Sequence, residues 1–290
     1  MIVLILHMLL NEFIYKFNSS LKNQYPKSEI TSFYRRLTHF YFQWPPTFLI
    51  MNPDYRLNYK ELQQLTIALN ELKKFRPIQY ILNESFFYGR TFYVDEYVLI
   101  PRQETEELVK WVLSDYKDEE HHCNVLEIGT GSGCIAISLA KEQRKFKIEA
   151  LDVSKAALQV AQKNAFLHNS EIDFVHQDIC RLENWHKPLD IIISNPPYIE
   201  PNEKKEMLPN VLDHEPHLAL FTPNGEPLYF YKKIIFLANS CLKVNGCFYL
   251  EINPKYIKDL VAFIKTGTFK DIEVRNDIFG KNRMLKAVKS

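Results

Sequence analysis

Three of the eight glycines in this 290-residue chain stand at alternate positions, Gly129, Gly131 and Gly133. The apolar residues 124–128 before them have the length and composition of a buried strand, and residues 134–140 after them have helical composition and spacing. A glycine-rich turn between a strand and a helix lets the backbone approach a ligand closely and leaves free N–H groups at the helix start. The pattern therefore predicts a ligand-binding turn in a fold that alternates strands and helices.

The spacing of these glycines argues against two common phosphate-binding loops. A dinucleotide fingerprint requires glycine at its sixth position, which is Cys134 in this chain. A P-loop requires Gly-Lys-Ser or Gly-Lys-Thr, and neither sequence follows the glycines here. The arrangement Glu127-x-Gly129-x-Gly131-x-Gly133 instead resembles the cofactor loop of S-adenosylmethionine-dependent methyltransferases.

Each of the next two predicted strands ends in an aspartate. Asp152 lies about 20 residues after the first of the three glycines, where a doubly wound fold places its ribose-binding carboxylate. Asp152 can instead be interpreted as a helix cap, but Ser154 is the better cap residue and leaves Asp152 for the ligand. Asp178 and Ile179 follow the second of these strands and are predicted to contact an adenine, although aspartate at a strand end is also an ordinary turn residue.

The sequence Asn195-Pro196-Pro197-Tyr198 follows the apolar residues 189–194, which predict a buried strand. Two prolines donate no ladder hydrogen bonds, so the strand must end there. Asn195 Oδ1 and the Pro196 carbonyl can each accept one N–H of a planar –NH2 group, and Tyr198 is predicted to stack on that group. The alternative interpretation is a Pro-Pro turn that only closes the strand.

From residue 124 onward, strand and helix patterns alternate, which predicts a mostly parallel sheet with helices on both faces. Ligands in such sheets bind beyond the carboxyl ends of the strands, at the switch in strand order. The glycine loop, Asp152, Asp178 and Asn195 all follow predicted strands. We therefore expect these features to meet at one edge of the sheet.

The first 88 residues contain no glycine and have helical patterns, with a break at Gln43-Trp44-Pro45-Pro46. The segment 79–100 then predicts a hairpin around Gly89-Arg90. One apolar stripe of the N-terminal region comprises Leu6, Leu10, Phe13 and Phe17, and a second comprises Leu62, Leu65, Leu69 and Leu72, in a helix that Arg76-Pro77 should terminate. The expected domains are a helical domain over 1–76, a hairpin linker over 77–100 and a catalytic domain over 101–290.

The composition favours a water-soluble enzyme, since 46% of the residues are hydrophobic and 24% are charged. A formal net charge of +1 argues against a protein that depends on nucleic-acid phosphates. Five cysteines without a Cys-x-x-Cys pair indicate reduced thiols in the cytosol, and His121-His122-Cys123 has no partner cluster for a metal. The apolar residues 1–10 are too short to span a membrane and have no basic leader.

The chain resembles the peptide chain release factor glutamine methyltransferase family over roughly residues 76 to 288. The motifs that carry the resemblance are Arg76-Pro77-Ile78-Gln79-Tyr80, Phe87-Tyr88-Gly89, Leu99-Ile100-Pro101-Arg102-Gln103-Glu104-Thr105-Glu106, the glycine loop, Asn195 to Ile199, Glu215-Pro216 and Phe279-Gly280-Lys281-Asn282-Arg283-Met284-Leu285. Gln103 departs from the family, which usually has proline at this position.

The resemblance implies a doubly wound, mostly parallel, seven-stranded Rossmann-like sheet and an N-terminal domain that recognises the substrate. It implies methylation of the side-chain nitrogen, N5, of the glutamine in the Gly-Gly-Gln motif of class I release factors, with S-adenosylmethionine as cofactor. The enzyme is expected to be cytoplasmic and monomeric, without contact to nucleic acid or membrane. The implied cofactor contacts are Gly129, Thr130, Gly131, Ser132, Gly133, Asp152, Asp178, Ile179 and Asn195, and the implied glutamine contacts are Asn195, Pro196, Pro197 and Tyr198, of which Asn195, Pro196 and Tyr198 are the catalytic set.

Three other functions remain open at this point. A glutamine methyltransferase of a ribosomal protein would use the same site. An adenine-N6 methyltransferase would grip an exocyclic amine in the same way but should have a basic cleft. A non-catalytic cofactor-binding protein would have no use for Asn195 to Tyr198. Glu104, Thr105 and Glu106 are interpreted as residues of a first helical turn, and Glu215 as a loop acid that either faces the cleft or only precedes a proline.

Overall fold

The structure is a computed structural model and describes residues 8–290, so Leu6, expected on the first apolar stripe, lies outside the described residues. The chain divides into two compact units. The smaller unit comprises the residues up to Asn83 together with Pro209–His214, and the larger comprises Glu84–Leu208 and Glu215–Ser290. None of the helices formed by residues 8–290 has both the length and the apolarity needed to cross a bilayer.

The secondary structure elements are numbered in chain order. The helices are α1 Leu10–Leu21, α2 Lys27–Phe42, α3 Phe48–Met51, α4 Tyr59–Leu72, α5 Ile78–Leu82, α6 Gln103–Asp115, α7 Cys134–Glu142, α8 Lys155–Leu167, α9 Pro209–Leu212, α10 His217–Leu220, α11 Tyr229–Cys241 and α12 Ile257–Ile264. The strands are β1 Met8–Leu9, β2 Arg56–Leu57, β3 Ser85–Phe87, β4 Arg90–Phe92, β5 Cys123–Ile128, β6 Phe146–Asp152, β7 Asp173–His176, β8 Leu189–Ser194, β9 Leu242–Glu251, β10 Phe269–Asn276 and β11 Asn282–Lys289.

The smaller unit is built from amphipathic helices, as the sequence predicts. Helix α1 buries Leu10, Phe13 and Phe17 on one stripe, which places one side chain inward at each turn. Helix α2 ends at Phe42 because Gln43 adopts a left-handed conformation, with φ of 57°, just before the prolines. This unit also contains the pair β1–β2, which is too short to leave a sequence signal.

Helix α4 begins with a capping box and ends earlier than expected. The Asn58 side chain accepts from the Glu61 N–H, and the Glu61 carboxylate accepts from the Asn58 N–H. The sequence predicts that the Arg76-Pro77 step terminates this helix, but α4 ends at Leu72. Phe75 has φ of 61°, so the chain leaves the helical path before the proline acts.

A two-stranded antiparallel hairpin opens the larger unit, within the segment 79–100 for which the sequence predicts a hairpin. Strands β3 and β4 are joined by Tyr88 and Gly89, whose φ angles of 47° and 73° fit the primed turns that hairpins favour. The strands occupy only part of the segment 79–100, since Ile78–Leu82 forms the short helix α5.

The core of the larger unit is a seven-stranded sheet in the order β10-β11-β9-β8-β5-β6-β7. Strands β5 to β9 run parallel to one another, and β11 runs antiparallel to both β9 and β10. Alternate strand residues face opposite sides, so Val125 packs with α6 and α7 while Leu126 packs with α11 and α12. The doubly wound, mostly parallel fold is confirmed, and its strand order switches direction between β5 and β8.

Candidate functional site

A cavity of about 570 Å3 lies in the larger unit at the carboxyl ends of β5, β6 and β8. Its lining includes most of the residues selected from the sequence, namely Gly129, Thr130, Gly131, Ser132, Asp152, Asp178, Ile179, Asn195, Pro196 and Pro197. Among the described residues, two that the sequence proposes, Gly133 and Tyr198, are absent from this lining. The switch in strand order therefore carries a cavity in which the glycine loop, two aspartates and Asn195 meet.

The glycine loop is held against the neighbouring strand by its backbone. The N–H groups of Gly129 and Thr130 both donate to the Leu151 carbonyl, at 2.9 and 3.0 Å. Gly131 has φ of 54°, and a Cβ built on it would meet nothing within 4 Å. At Gly133 a Cβ would instead lie 3.1 Å from a side-chain atom of Ile137. Gly131 thus keeps the cavity open, whereas Gly133 allows close packing behind the loop.

Glu127 fixes this loop from beneath, a role that the sequence analysis did not assign. Its buried carboxylate accepts from Thr130 Oγ1 at 2.6 Å and from the Ala136 N–H, in the first turn of α7, at 3.1 Å. Burial raises the pKa of Glu127 to about 8, although both hydrogen bonds act in the opposite direction. The available sequence signal was a single acid at the end of an otherwise apolar strand.

The Asp152 carboxylate is anchored by the backbone on both oxygens. Oδ2 accepts from the Gly131 N–H and Oδ1 from the Ser154 N–H, each at 2.9 Å. Ser154 caps α8 by accepting from Ala157, as the sequence predicts. Burial raises the pKa of Asp152, and the backbone hydrogen bonds oppose that rise. Each carboxylate oxygen retains a second lone pair, so the group can still accept from a ligand.

Asp178 serves as a turn residue and lines the cavity at the same time. Its Oδ1 accepts from the Cys180 N–H at 2.9 Å, which caps the 3₁₀ helix Ile179–Arg181. Ile179 is buried and contributes an apolar surface to the cavity. The two interpretations that the sequence left open for Asp178 are therefore compatible.

Asn195 emerges directly after β8, where Ser194 Oγ donates to the Ile128 carbonyl at 2.7 Å and ties β8 to β5. The Asn195 amide nitrogen donates to Thr105 Oγ1 at 3.2 Å, and that hydroxyl donates to Glu251 Oε2 at 2.6 Å. Thr105 and Glu251 are both buried. The sequence indicates Thr105 only as part of a helix turn and gives no signal for Glu251, because the two residues lie in distant parts of the chain.

Tyr198 is held behind the cavity by its hydroxyl. The group donates to Glu251 Oε1 at 3.0 Å, and Arg283 donates to the same hydroxyl at 3.4 Å. Burial raises the pKa of Tyr198, so the hydroxyl keeps its proton and remains a donor. The ring packs beside the hydrophobic cluster on the α11 side of the sheet. The stacking of Tyr198 on a substrate stays a prediction.

Glu106 and Glu215 both make structural contacts. Glu106 accepts from the Tyr88 N–H at 3.0 Å and so attaches α6 to the hairpin. Glu215 is buried and accepts from the Arg102 guanidinium at 2.7 Å and from the Ile100 N–H at 3.3 Å. Residues 8–290 contain no cluster of three or more His, Cys, Asp or Glu side chains arranged to hold a metal ion.

Comparison with known proteins covers both units. The sequence profile of the PrmC N-terminal domain matches residues 14–82, and that of the Methyltransferase small domain matches residues 108–226. A release factor glutamine methyltransferase of Flavobacterium psychrophilum is 42% identical over 281 residues, which cover 96% of this chain and 99% of the relative. Another, of Bacteroides thetaiotaomicron, is 42% identical over 82% of this chain and 85% of its own length.

The fold of the chain is also found among solved structures. A methyltransferase of Pyrococcus furiosus superposes with a TM-score of 0.51 at 16% identity, over 79% of this chain and 98% of that protein. This likeness describes the architecture alone. Family membership follows from sequence, because the Flavobacterium relative matches nearly the whole of both chains at 42% identity. The chain belongs to the release factor glutamine methyltransferase family.

Proposed function

We propose that this chain transfers a methyl group to the side-chain amide nitrogen, N5, of the glutamine in the Gly-Gly-Gln motif of class I peptide chain release factors. The observation that carries the proposal is the position of Asn195 and Pro196 on the lining of the cavity that the glycine loop and Asp152 also form. An acceptor pair for an N–H2 group therefore shares one space with a cofactor loop. The family to which the chain belongs supports the same substrate.

The residues of the cavity fit S-adenosylmethionine. Gly131 has no side chain to fill the space beside the loop, so a ligand can approach the backbone there. The Asp152 carboxylate has lone pairs available for the two ribose hydroxyls. Asp178 can accept from the adenine amine while Ile179 covers the apolar face of the base. When bound, S-adenosylmethionine supplies a methyl group activated on a sulfonium centre. These residues would hold its ribose and adenine, and the remaining lining is largely apolar.

The residues of the chain would orient the glutamine nitrogen for methyl transfer. A carboxamide nitrogen is a poor nucleophile because its lone pair is delocalised into the carbonyl group. Asn195 Oδ1 and the Pro196 carbonyl would accept both N–H hydrogens of the glutamine, which fixes the nitrogen and enriches its electron density. Such positioning contributes several kcal/mol to the lowering of the barrier, and about 7–11 kcal/mol in well-oriented reactions. The two oxygens also stabilise the positive charge that develops on nitrogen.

The chemistry requires no strong base in the cavity. The nitrogen becomes acidic once it carries the new methyl group, so its proton can leave to water after the transfer. Two buried carboxylates already have partners, since Glu251 accepts from Thr105 and Tyr198 and Glu215 accepts from Arg102. The site thus depends on hydrogen-bond acceptors that are fixed before the substrate arrives.

We infer that the two units have different functions. The smaller unit, which matches the PrmC N-terminal domain, would recognise the release factor, and the larger unit would carry the chemistry. We place the protein in the cytoplasm, where release factors act, as a monomer whose partner is a protein. The near-neutral net charge of +1 favours a protein substrate over DNA or RNA.

A methyl-transfer assay tests this function. The full chain and S-adenosylmethionine are mixed separately with unmodified release factor, a ribosomal protein extract and genomic DNA, and the products are analysed by mass spectrometry. We expect one methyl group on the Gly-Gly-Gln glutamine, and a loss of turnover of about a hundredfold in Asn195→Ala. The exposed Asn202→Ala is the matched control. Methylated adenine or ribosomal protein with an untouched release factor would overturn the substrate named here.

A further inference from the structure

Behind Asn195 lies a chain of three polar side chains that the proposed mechanism does not use. Asn195 Nδ2 donates to Thr105 Oγ1 at 3.2 Å, and Thr105 Oγ1 donates to Glu251 Oε2 at 2.6 Å. The Tyr198 hydroxyl donates to the other oxygen, Glu251 Oε1, at 3.0 Å. Thr105 is 3% exposed and Glu251 is 2% exposed, so water does not compete for these bonds.

The direction of each hydrogen bond in this chain follows from the inventory of donors. Arg283 has only donors, and its contact of 3.4 Å with the Tyr198 hydroxyl turns the tyrosine proton towards Glu251. The Thr105 hydroxyl has a single proton, and it is donated to Glu251 Oε2. Thr105 can then only accept from Asn195. Burial raises the pKa of Glu251, and Thr105, Tyr198 and Arg283 all oppose that rise.

These hydrogen bonds determine which end of the Asn195 amide faces the ligand. The two ends of a carboxamide have nearly the same shape, so a partner must decide which end faces the ligand. Because Thr105 can accept but not donate, the NH2 end of Asn195 faces Thr105. The oxygen end is left for the ligand.

We propose that Glu251 and Thr105 are positioning residues that set the polarity of the Asn195 amide and thereby select a glutamine carboxamide over a glutamate carboxylate. The inference rests on the proposed function, because it assigns specificity to the same grip. A glutamine side chain offers two N–H hydrogens to Asn195 Oδ1 and the Pro196 carbonyl. A glutamate of the same shape presents an anionic oxygen to both acceptors and is rejected.

Reversing the polarity of the Asn195 amide should weaken the preference for glutamine over glutamate. In Glu251→Gln the substituted carboxamide can donate to Thr105, which frees the threonine proton to donate to Asn195 Oδ1. The Asn195 amide then turns its NH2 end to the cavity, where it favours a carboxylate. In Thr105→Val the hydroxyl is absent and neither orientation is enforced, whereas Thr105→Ser restores the hydroxyl.

The experiment measures binding of unmodified release factor and of its variant with glutamate in place of the Gly-Gly-Gln glutamine. Calorimetry on the full chain, in the presence of S-adenosylhomocysteine to prevent turnover, gives the ratio of the two affinities. We expect this ratio to fall by about tenfold or more in Glu251→Gln and Thr105→Val, the factor for one net hydrogen bond, and to stay near the wild-type value in Thr105→Ser.

A matched control separates polarity from folding. Glu149 is another buried carboxylate, which accepts from Trp185 Nε1 at 2.8 Å outside the cavity lining, and Glu149→Gln should leave the ratio unchanged. An equal loss of affinity for both release factor forms in Glu251→Gln, together with an unchanged ratio in Thr105→Val, would overturn the inference. The proposed function would still stand in that case if the wild type methylates the release factor. If Glu251→Gln fails to fold, the comparison of Thr105→Val with Thr105→Ser decides alone. A wild type that methylates no release factor would overturn the proposed function and this inference with it.

Discussion

The Arg102 guanidinium donates to the carboxylate of Glu215 at 2.7 Å, although the two residues are 113 positions apart in sequence. The side chain of Glu215 is 1% exposed and that of Arg102 is 34% exposed, so the acid depends on a cation that solvent only partly screens. Burial raises the pKa of Glu215, and Arg102 opposes that rise. The pair joins the start of α6 to the loop that precedes α10.

Removal of the Arg102 guanidinium should therefore leave the buried Glu215 carboxylate without a counter-charge and destabilise the fold. We expect Arg102→Ala to lower the free energy of unfolding by about 2 kcal/mol, less than for a fully buried pair because Arg102 is partly exposed. The loss should be smaller at acidic pH, where a protonated Glu215 needs no counter-charge. Denaturant unfolding at several pH values measures it. The double variant with Glu215→Gln should recover part of the stability, and a loss independent of pH would contradict this account.

Glu127 should make stability depend on pH. Its pKa is raised from 4.5 to about 8 on folding, so between these values the folded chain binds a proton that the unfolded chain has released. Stability from this group is thus present at low pH and is lost as pH rises through that window. Relative to the wild type, Glu127→Gln should gain stability with rising pH, by at most about 1.4 kcal/mol per pH unit. Parallel stability curves for the cofactor-free proteins would refute this.

Gly131 should be required for the cofactor more than for folding. Its φ of 54° strains any other residue, so Gly131→Ala should cost about 1 kcal/mol of stability. The added Cβ also enters the cavity, and the affinity for S-adenosylmethionine should fall by about tenfold or more. Gly89→Ala is the matched control, since Gly89 has φ of 73° and lies outside the cavity lining. Calorimetry and thermal unfolding of both variants separate the two effects, and equal cofactor affinities would contradict the role of the loop.

The Tyr198 hydroxyl should affect turnover through Glu251. Tyr198→Phe removes one of the donors to a buried carboxylate, which should cost about 2 kcal/mol of stability and lower turnover several-fold. Tyr249→Phe, on β9, removes a hydroxyl that donates to Asp115 at 2.8 Å, outside the cavity lining. We expect that control to lose stability while it retains turnover. Unchanged turnover in Tyr198→Phe would show that the hydroxyl does not support the site.

The parts of the fold that the sequence predicts are those fixed by local chemistry. The strand over 189–194 ends where two prolines prevent further pairing, and β8 ends at Ser194. Ser154 caps α8 as expected, since its hydroxyl is in reach of the first-turn N–H groups. The glycine loop forms because the positive φ angles that it requires are available to glycine. In each case the cause lies within a few residues of its effect.

The parts that escaped prediction depend on contacts between distant residues. The hydrogen bond between Thr105 and Glu251 spans 146 positions, and the sequence near either residue does not predict it. The early end of α4 depends on the left-handed Phe75, a conformation that its local sequence does not favour. Glu127 stood within the motif, but its function appears only when α7 and the loop close over it. Polar contacts between distant residues thus stabilise the site, while local sequence patterns predict which residues form it.

The segment Pro209–His214 belongs to the smaller unit, although the residues on both sides of it belong to the larger one. Within the smaller unit, His214 Nε2 lies 2.7 Å from the Lys74 carbonyl oxygen. A single genetic crossover near residue 84 would therefore combine the N-terminal stretch of one parent with the Pro209–His214 segment of another. The smaller unit can be inherited or transplanted intact only when both stretches of the gene travel together.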